Sequence, residues 1–290
     1  MWRGKTVSVI FPTYNEKDSI RAATLGYFAT GLADEVIVVN NNAAPGTSEE
    51  VAGTGAREIF EPMQGYGNAL LCGIDNCKSD LIVLSEPDGT FNPSDLIKLL
   101  AYSDDVPVVF GTRTSREFIW AGANMGLFLR WGNWAVAKMT ELLFNTTILT
   151  DMGCTLRLFD ASALRRIRPH LTIGGSHFGP QLLMEVVAHG IPFVEIPVSY
   201  RSRVGESSVT GSFTKAFWLG IQMIVLVWQY RIGLIRRDRT RWTAAESRSP
   251  AERQAFSMDA SLSNLRRAIG VSSKAQETTA AHVGVKSEAR

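Results

Sequence analysis

Short β-branched runs alternate with helical spacings through the first 110 residues of the chain. Val7 to Phe11 (VSVIF) is an apolar run that stops at Pro12, and Glu35 to Val39 (EVIVV) is a second that stops at three asparagines. Between them, Lys17 to Thr30 has its apolar residues three and four apart, so the opening is predicted to be strand, helix, strand. The alternation continues with a short strand at Glu58 to Phe60, a helix at Gly67 to Cys77 and a strand at Leu81 to Leu84. A helix at Pro93 to Tyr102 and a strand at Val106 to Phe110 follow. An α/β fold results, with a mostly parallel sheet flanked by helices. Ligands of such sheets bind beyond the carboxyl ends of the strands. Those ends carry PTYNE (12–16), NNN (40–42), EPDGT (86–90) and GTRTSR (111–116), all rich in polar side chains.

The second half is less regular. Gly122 to Asn145 reads as a helix carrying Arg130, Trp131, Asn133, Trp134 and Lys138, and Thr155 to Phe159 and Phe193 to Val198 read as strands. Ala216 to Trp228 (AFWLGIQMIVLVW) is apolar nearly all round a helix. It would span roughly 20 Å, short of the roughly 30 Å hydrocarbon core, so a helix lying in the membrane interface is expected over 212–237. Trp218, Trp228 and Tyr230 suit headgroup depth, and the arginines from Arg231 to Arg241 suit anionic lipid on a cytoplasmic face. A buried core helix or an oligomer contact is the alternative. Residues 1–211 are thus read as one domain, and the polar stretch 238–290 as a disordered tail.

A length of 290 residues allows a sizeable core, and a net charge of +2 with 20% charged residues gives no support for nucleic-acid binding. Cys72, Cys77 and Cys154 form no paired framework, and MWRGKTVSVIF lacks the apolar length of a secretory signal, so a cytoplasmic setting is expected. There is no GxGxxG after the first strand, no P-loop, no HExxH, no GxSxG and no Cys/His cluster for zinc. Nicotinamide and P-loop chemistry therefore recede.

Glu86 and Asp88 stand one residue apart just beyond a buried strand, where hard oxygen ligands could hold a divalent cation. Acidic residues after a strand can also simply open a turn, and Asn92, Pro93 and Asp95 are able to cap the next helix.

Taken in order, PTYNE, the polar triplet, the QGYGNA turn (64–69), the acid-x-acid pair and IPVSYRSRVGESSV (196–209) resemble glycosyltransferase family 2, and within it the polyprenol-phosphate sugar synthases. The resemblance covers roughly residues 5–235 and implies a GT-A fold, a nucleoside diphosphate sugar donor, a Mg²⁺ or Mn²⁺ ion, a polyprenyl phosphate acceptor and an inverting displacement. Pro12, Tyr14 and Glu16 match the first donor loop, Asn40 stands where an aspartate is usual, and Gly65 and Gly67 lie in the donor-side turn. Glu86 and Asp88 match the metal-binding pair, with Thr90 where a glutamine is common. Arg113, Arg130, Arg203 and Ser207 match the region that holds phosphates, and Asp151 and Arg157 match a motif beneath the acceptor. Tyr66 replaces a common lysine and Gln181 a common glutamate; Glu185 falls four residues later.

The implied chemistry is coherent. Cleaving a sugar from a diphosphate builds negative charge on the leaving group, which cations stabilise most in the transition state. A phosphate acceptor is already anionic, whereas a hydroxyl acceptor needs a base, for which Asp151 or Asp88 is available. Each arginine alone is equally suited to a surface ion pair, His177 to a loop contact, and Trp131 with Trp134 to packing. Two other readings stay open: transfer to a lipid or glycan hydroxyl, and a non-catalytic nucleotide-sugar binder at a membrane.

Overall fold

A computed structural model of the protein describes residues 1–119, 127–205 and 213–233. The expected tail 238–290, Ser207 and the 211/212 boundary lie outside these residues. Seven strands form one sheet in the order β3-β2-β1-β4-β6-β5-β7. In chain order the elements are β1 (Val7–Thr13), α1 (Lys17–Ala29), β2 (Glu35–Asn40), α2 (Thr47–Val51), β3 (Arg57–Phe60), α3 (Tyr66–Asn76), β4 (Leu81–Leu84) and α4 (Leu96–Tyr102). Then come β5 (Val108–Thr112), α5 (Leu127–Phe144), β6 (Arg157–Asp160), α6 (Ala161–Ile167), α7 (Phe178–Ala188), β7 (Phe193–Pro197) and α8 (Phe213–Arg231).

All seven residues of β1 are buried, as a central strand covered on both faces requires. Its alternate side chains feed two cores: Ile10 packs with Leu70, Phe178 and Leu182, and Val9 and Phe11 pack with Ile20, Tyr27 and Leu99. β3 ends the sheet and is largely exposed, with Arg57 and Glu58 on a four-residue edge that offers other chains little to pair with. β5 starts two residues later than the apolar run predicts. Pro107 has no N–H to donate, and the Val106 N–H is already bonded to the Tyr102 carbonyl in the turn after α4.

Every pairing is parallel except those of β6, which runs antiparallel between β4 and β5. This inversion has a functional consequence. Parallel β1, β4, β5 and β7 bring the loops that follow them to one end of the sheet, while reversed β6 brings the loop that precedes it, 150–156, to that same end.

The apolar segment at 216–228 is part of a longer helix, α8, and one side of it is a core helix, as the alternative reading expected. Met223, Leu226, Val227 and Tyr230 are buried in the main core, alongside α5 and α7. Phe217, Trp218, Val225 and Trp228 are exposed on the same helix. Trp131 and Trp134 of α5, in edge contact at 5.5 Å, are exposed as well. Among the described residues, no helix is long and apolar enough to cross a membrane.

Candidate active site

The loop after β4 is held in shape by its own residues. Thr90 donates from both its N–H (2.9 Å) and its hydroxyl (2.6 Å) to Asp88 Oδ1. Capping of the following turn falls to Asn92, whose Oδ1 accepts from the Ser94 N–H. Asp88 thus opens the turn through Oδ1, and both Glu86 and Asp88 also face the Arg203 guanidinium. Arg203 Nη2 lies 2.7 Å from Asp88 Oδ2 and 3.1 Å from Glu86 Oε2. Backbone bonds fix that meeting, because the Arg201 N–H donates to the Thr90 carbonyl and the Val204 N–H to the Asp88 carbonyl. EPDGT and residues 201–204, more than a hundred residues apart, are thus laid side by side.

Asp88 is 1% exposed, and its Oδ2 has no hydrogen bond of good geometry despite the nearby guanidinium. Burial, reinforced by the Asp88 charge, pushes the Glu86 carboxyl up to about 7 against the pull of Arg203. Two adjoining carboxylates, one of them short of a partner and the other reluctant to ionise beside it, suit a divalent cation with oxygen preference. The residues fit such an ion.

Arg113 follows β5 and is clamped by Asp151. Its backbone N–H (3.0 Å) and Nε (2.9 Å) donate to Asp151 Oδ2, and its Nη2 (3.0 Å) donates to Oδ1. Oδ1 also accepts from the Gly153 N–H at 3.0 Å. Burial alone would weaken both charges, but each partner reverses that effect: Arg113 is held firmly protonated and Asp151 below the usual carboxylate range. Asp151 itself is held by Glu195 of β7, which accepts from the Thr150 N–H (2.7 Å), the Thr150 hydroxyl (2.6 Å) and the Asp151 N–H (2.9 Å). Burial pushes the Glu195 carboxyl up to about 7, outweighing those bonds.

A cavity of about 450 Å³ joins these groups. Its lining includes the polar and charged Tyr14, Glu16, Glu86, Arg113 and Arg203 and the apolar Val136 of α5, Pro180 of α7 and Ala216, Leu219 and Met223 of α8. Glu16 folds the first loop back, its Oε2 accepting from the N–H groups of Tyr14 (2.7 Å) and Asn15 (2.9 Å).

Several residues singled out in the sequence sit elsewhere. Asn40 does not line the cavity; its amide donates to Glu58 (2.9 Å) and Ser48 (3.2 Å) at the sheet edge. The neighbouring Asn41 does line it, and its Oδ1 accepts from the Gly65 N–H at 2.7 Å, which fixes the QGYG turn. Gly65 and Gly67 act by close approach, since a Cβ on Gly67 would lie 2.1 Å from the Ile173 carbonyl and one on Gly65 2.3 Å from that of Gly174. Arg130 donates to the Thr114 carbonyl at 3.0 Å and does not line the cavity. Arg157 is buried and donates to the carbonyls of Cys154, Met152 and Gly179. Gln181 ties the 170–173 loop together through His170 and Ile173. Asn41, Glu195 and Tyr200, which lines the cavity with its ring 5.2 Å from the Arg113 guanidinium, were not picked out individually by sequence patterns; a polar residue inside strand β7 was the signal for Glu195.

These features define a class, an α/β fold of the GT-A type with an acidic pair at the end of a central strand. The glycosyl transferase family 2 profile matches residues 8–168, more than half of the chain, and the chain belongs to that family. It is 28% identical over 210 residues to the low-salt glycan biosynthesis hexosyltransferase Agl6 of Haloferax volcanii, covering 70% of this chain and 50% of Agl6. The dolichyl-phosphate hexose transferase of the same organism is 28% identical over 206 residues, covering 70% of this chain and 86% of that one. The undecaprenyl-phosphate mannosyltransferase of Micrococcus luteus is 26% identical over 230 residues, covering 71% and 88%. Among solved structures, glucosyl-3-phosphoglycerate synthase from Mycobacterium tuberculosis, crystallised with Mg²⁺ and uridine diphosphate, superposes with a TM-score of 0.61. That match has 16% identity and covers 79% of this chain and 80% of the other.

Proposed function

We propose that this glycosyltransferase moves a sugar from a nucleoside diphosphate sugar to a polyprenyl phosphate, with inversion, at the cytoplasmic face of a membrane. The observation that carries the reading is the mixed lining of the cavity: charged groups together with apolar side chains from α5 and α8 suit an acceptor with an anionic head and a hydrocarbon tail. The aromatic side chains exposed on those two helices would rest at headgroup depth. The names of the dolichyl- and undecaprenyl-phosphate relatives point the same way.

In this reading an acceptor phosphate oxygen attacks the anomeric carbon, a new C–O bond forms, and the bond to the diphosphate breaks with its electron pair leaving on the nucleotide. A Mg²⁺ or Mn²⁺ ion held by Glu86 and Asp88 would supply positive charge beside the leaving diphosphate. Arg203 adds its guanidinium there, and Arg113, fixed by Asp151, presents its charge to the incoming phosphate. No general base is required because the phosphate is already ionised. Asp151 is poorly suited to be one, being 1% exposed and engaged on both oxygens. It is a positioning residue.

The test is acceptor choice. Undecaprenyl phosphate in anionic vesicles should be glycosylated and the corresponding prenyl alcohol should not; equal use of the alcohol would favour a hydroxyl-transfer enzyme instead.

A further inference from the structure

We infer that His170, Glu185 and His189 form a second metal site, of the zinc type, that joins α7 to the turn after α6 and reaches α8 through Tyr230. One nitrogen or oxygen from each of the three lies within 4.8 Å of the others, with Glu185 and His189 buried and His170 partly so. Glu185 and His189 are four residues apart at the end of α7 and share one face of it. His170 arrives from the turn after α6, its ring 4.8 Å from that of His189.

The hydrogen bonds leave the metal-binding atoms bare. His189 Nδ1 is 2.9 Å from the Glu185 main-chain carbonyl, which can only accept, so Nδ1 carries the proton. That leaves the Nε2 lone pair facing the interior, buried and with no hydrogen-bond partner. A ring N–H fixed by a backbone carbonyl with the opposite nitrogen free is the arrangement seen in metal-ligating histidines. Glu185 is prepared in the same way. The Tyr230 hydroxyl of α8 donates to its Oε1, while Oε2 has no hydrogen bond and lies 3.2 Å from His189 Nδ1. Leaving buried polar atoms of this kind unmet is unfavourable, and a cation meets two of them at once.

The donor set selects the ion. Two imidazole nitrogens and one carboxylate oxygen suit Zn²⁺ far better than Mg²⁺ or Ca²⁺, which favour all-oxygen sites such as Glu86 with Asp88. A tetrahedral zinc with arms of about 2.1 Å sets its ligands about 3.4 Å apart, against the 4.8 Å within which one atom of each of the three side chains already lies. Tyr230 would then orient a ligand from the second helix. Because α8 supplies Ala216, Leu219 and Met223 to the cavity wall, the ion would steady that wall from a point about 9 Å along α7 from Gly179, which also lines the cavity.

The full-length chain, stripped with a chelator and then dialysed against Zn²⁺, should retain one zinc per chain by elemental analysis, and its melting temperature should rise on reloading. Asp88→Ala should keep that zinc and His170→Gln should lose it; Tyr230→Phe should weaken binding by about 10–100-fold. His170 is only partly buried, so its variant is expected to stay folded, and circular dichroism checks this. Retention by His170→Gln, loss in Asp88→Ala, or no zinc in the folded wild type would overturn the inference, and none of these results bears on sugar transfer.

Discussion

Arg113 and Asp151 are joined by three hydrogen bonds, two from the guanidinium and one from the Arg113 backbone N–H, so a single carboxylate fixes both the side chain and the strand end that carries it. Arg113 lines the cavity, and Asp151 beside it is fully covered. Asp151→Asn replaces one acceptor oxygen by a donor and leaves the buried guanidinium poorly partnered, a change worth about 3–5 kcal/mol in stability. We expect kcat to fall about 100-fold with the shape of its pH profile unchanged. Loss of the acidic limb of that profile would make Asp151 a base.

Glu195 gives the protein a pH signature. Its carboxyl is held up at about 7 from an ordinary 4.5, chiefly by burial, so between those values the folded chain binds more protons than the unfolded one. The stability associated with the protonated form is fully present below about 4.5 and is lost as the pH rises to about 7. Glu86 is raised to about 7 as well and acts with the same sign. Urea denaturation of wild type and Glu195→Gln at pH 4.5 and 7.5 should show the variant losing about 3 kcal/mol less over that interval. An identical slope in the two proteins would contradict this assignment.

Gly67 is where α3 meets the 173–174 backbone. Ala there would bring its Cβ to 2.1 Å from a main-chain carbonyl that has no rotamer by which to retreat. Gly67→Ala should cost about 3 kcal/mol or more, lower Tm by roughly 5–10 °C and weaken donor binding through the displaced QGYG turn. Calorimetry with and without nucleoside diphosphate reads both effects.

Much of this architecture was legible because local patterns and the sheet agree. Buried parallel strands are continuous apolar runs, and β1, β2 and β4 lie where those runs lie. The direction of β6 was not legible, since a four-residue strand reads alike both ways. Helices α6 and α7 were missed as elements because α7 is buried over most of its surface and so has little polar face to set a period. In the site, EPDGT stood out as charge at the end of an apolar strand, and its contact with Arg203 rests on a loop pairing no spacing rule anticipates. Of three consecutive asparagines the sequence offered no ground for preferring the second, because strand twist and the β3 edge decide which one turns towards the cavity. Glu195 was hidden for a related reason: one carboxylate in an apolar strand declares burial without declaring what it holds.

The measurement that tests the central claim most directly is nucleotide release by the purified chain in detergent, across UDP-, GDP- and dTDP-sugars, with and without Mn²⁺ and undecaprenyl phosphate. The account predicts release from one donor class that requires both the metal and the lipid phosphate and disappears in Asp88→Ala. Release that ignores the lipid phosphate, or that survives unchanged in Asp88→Ala, would contradict it.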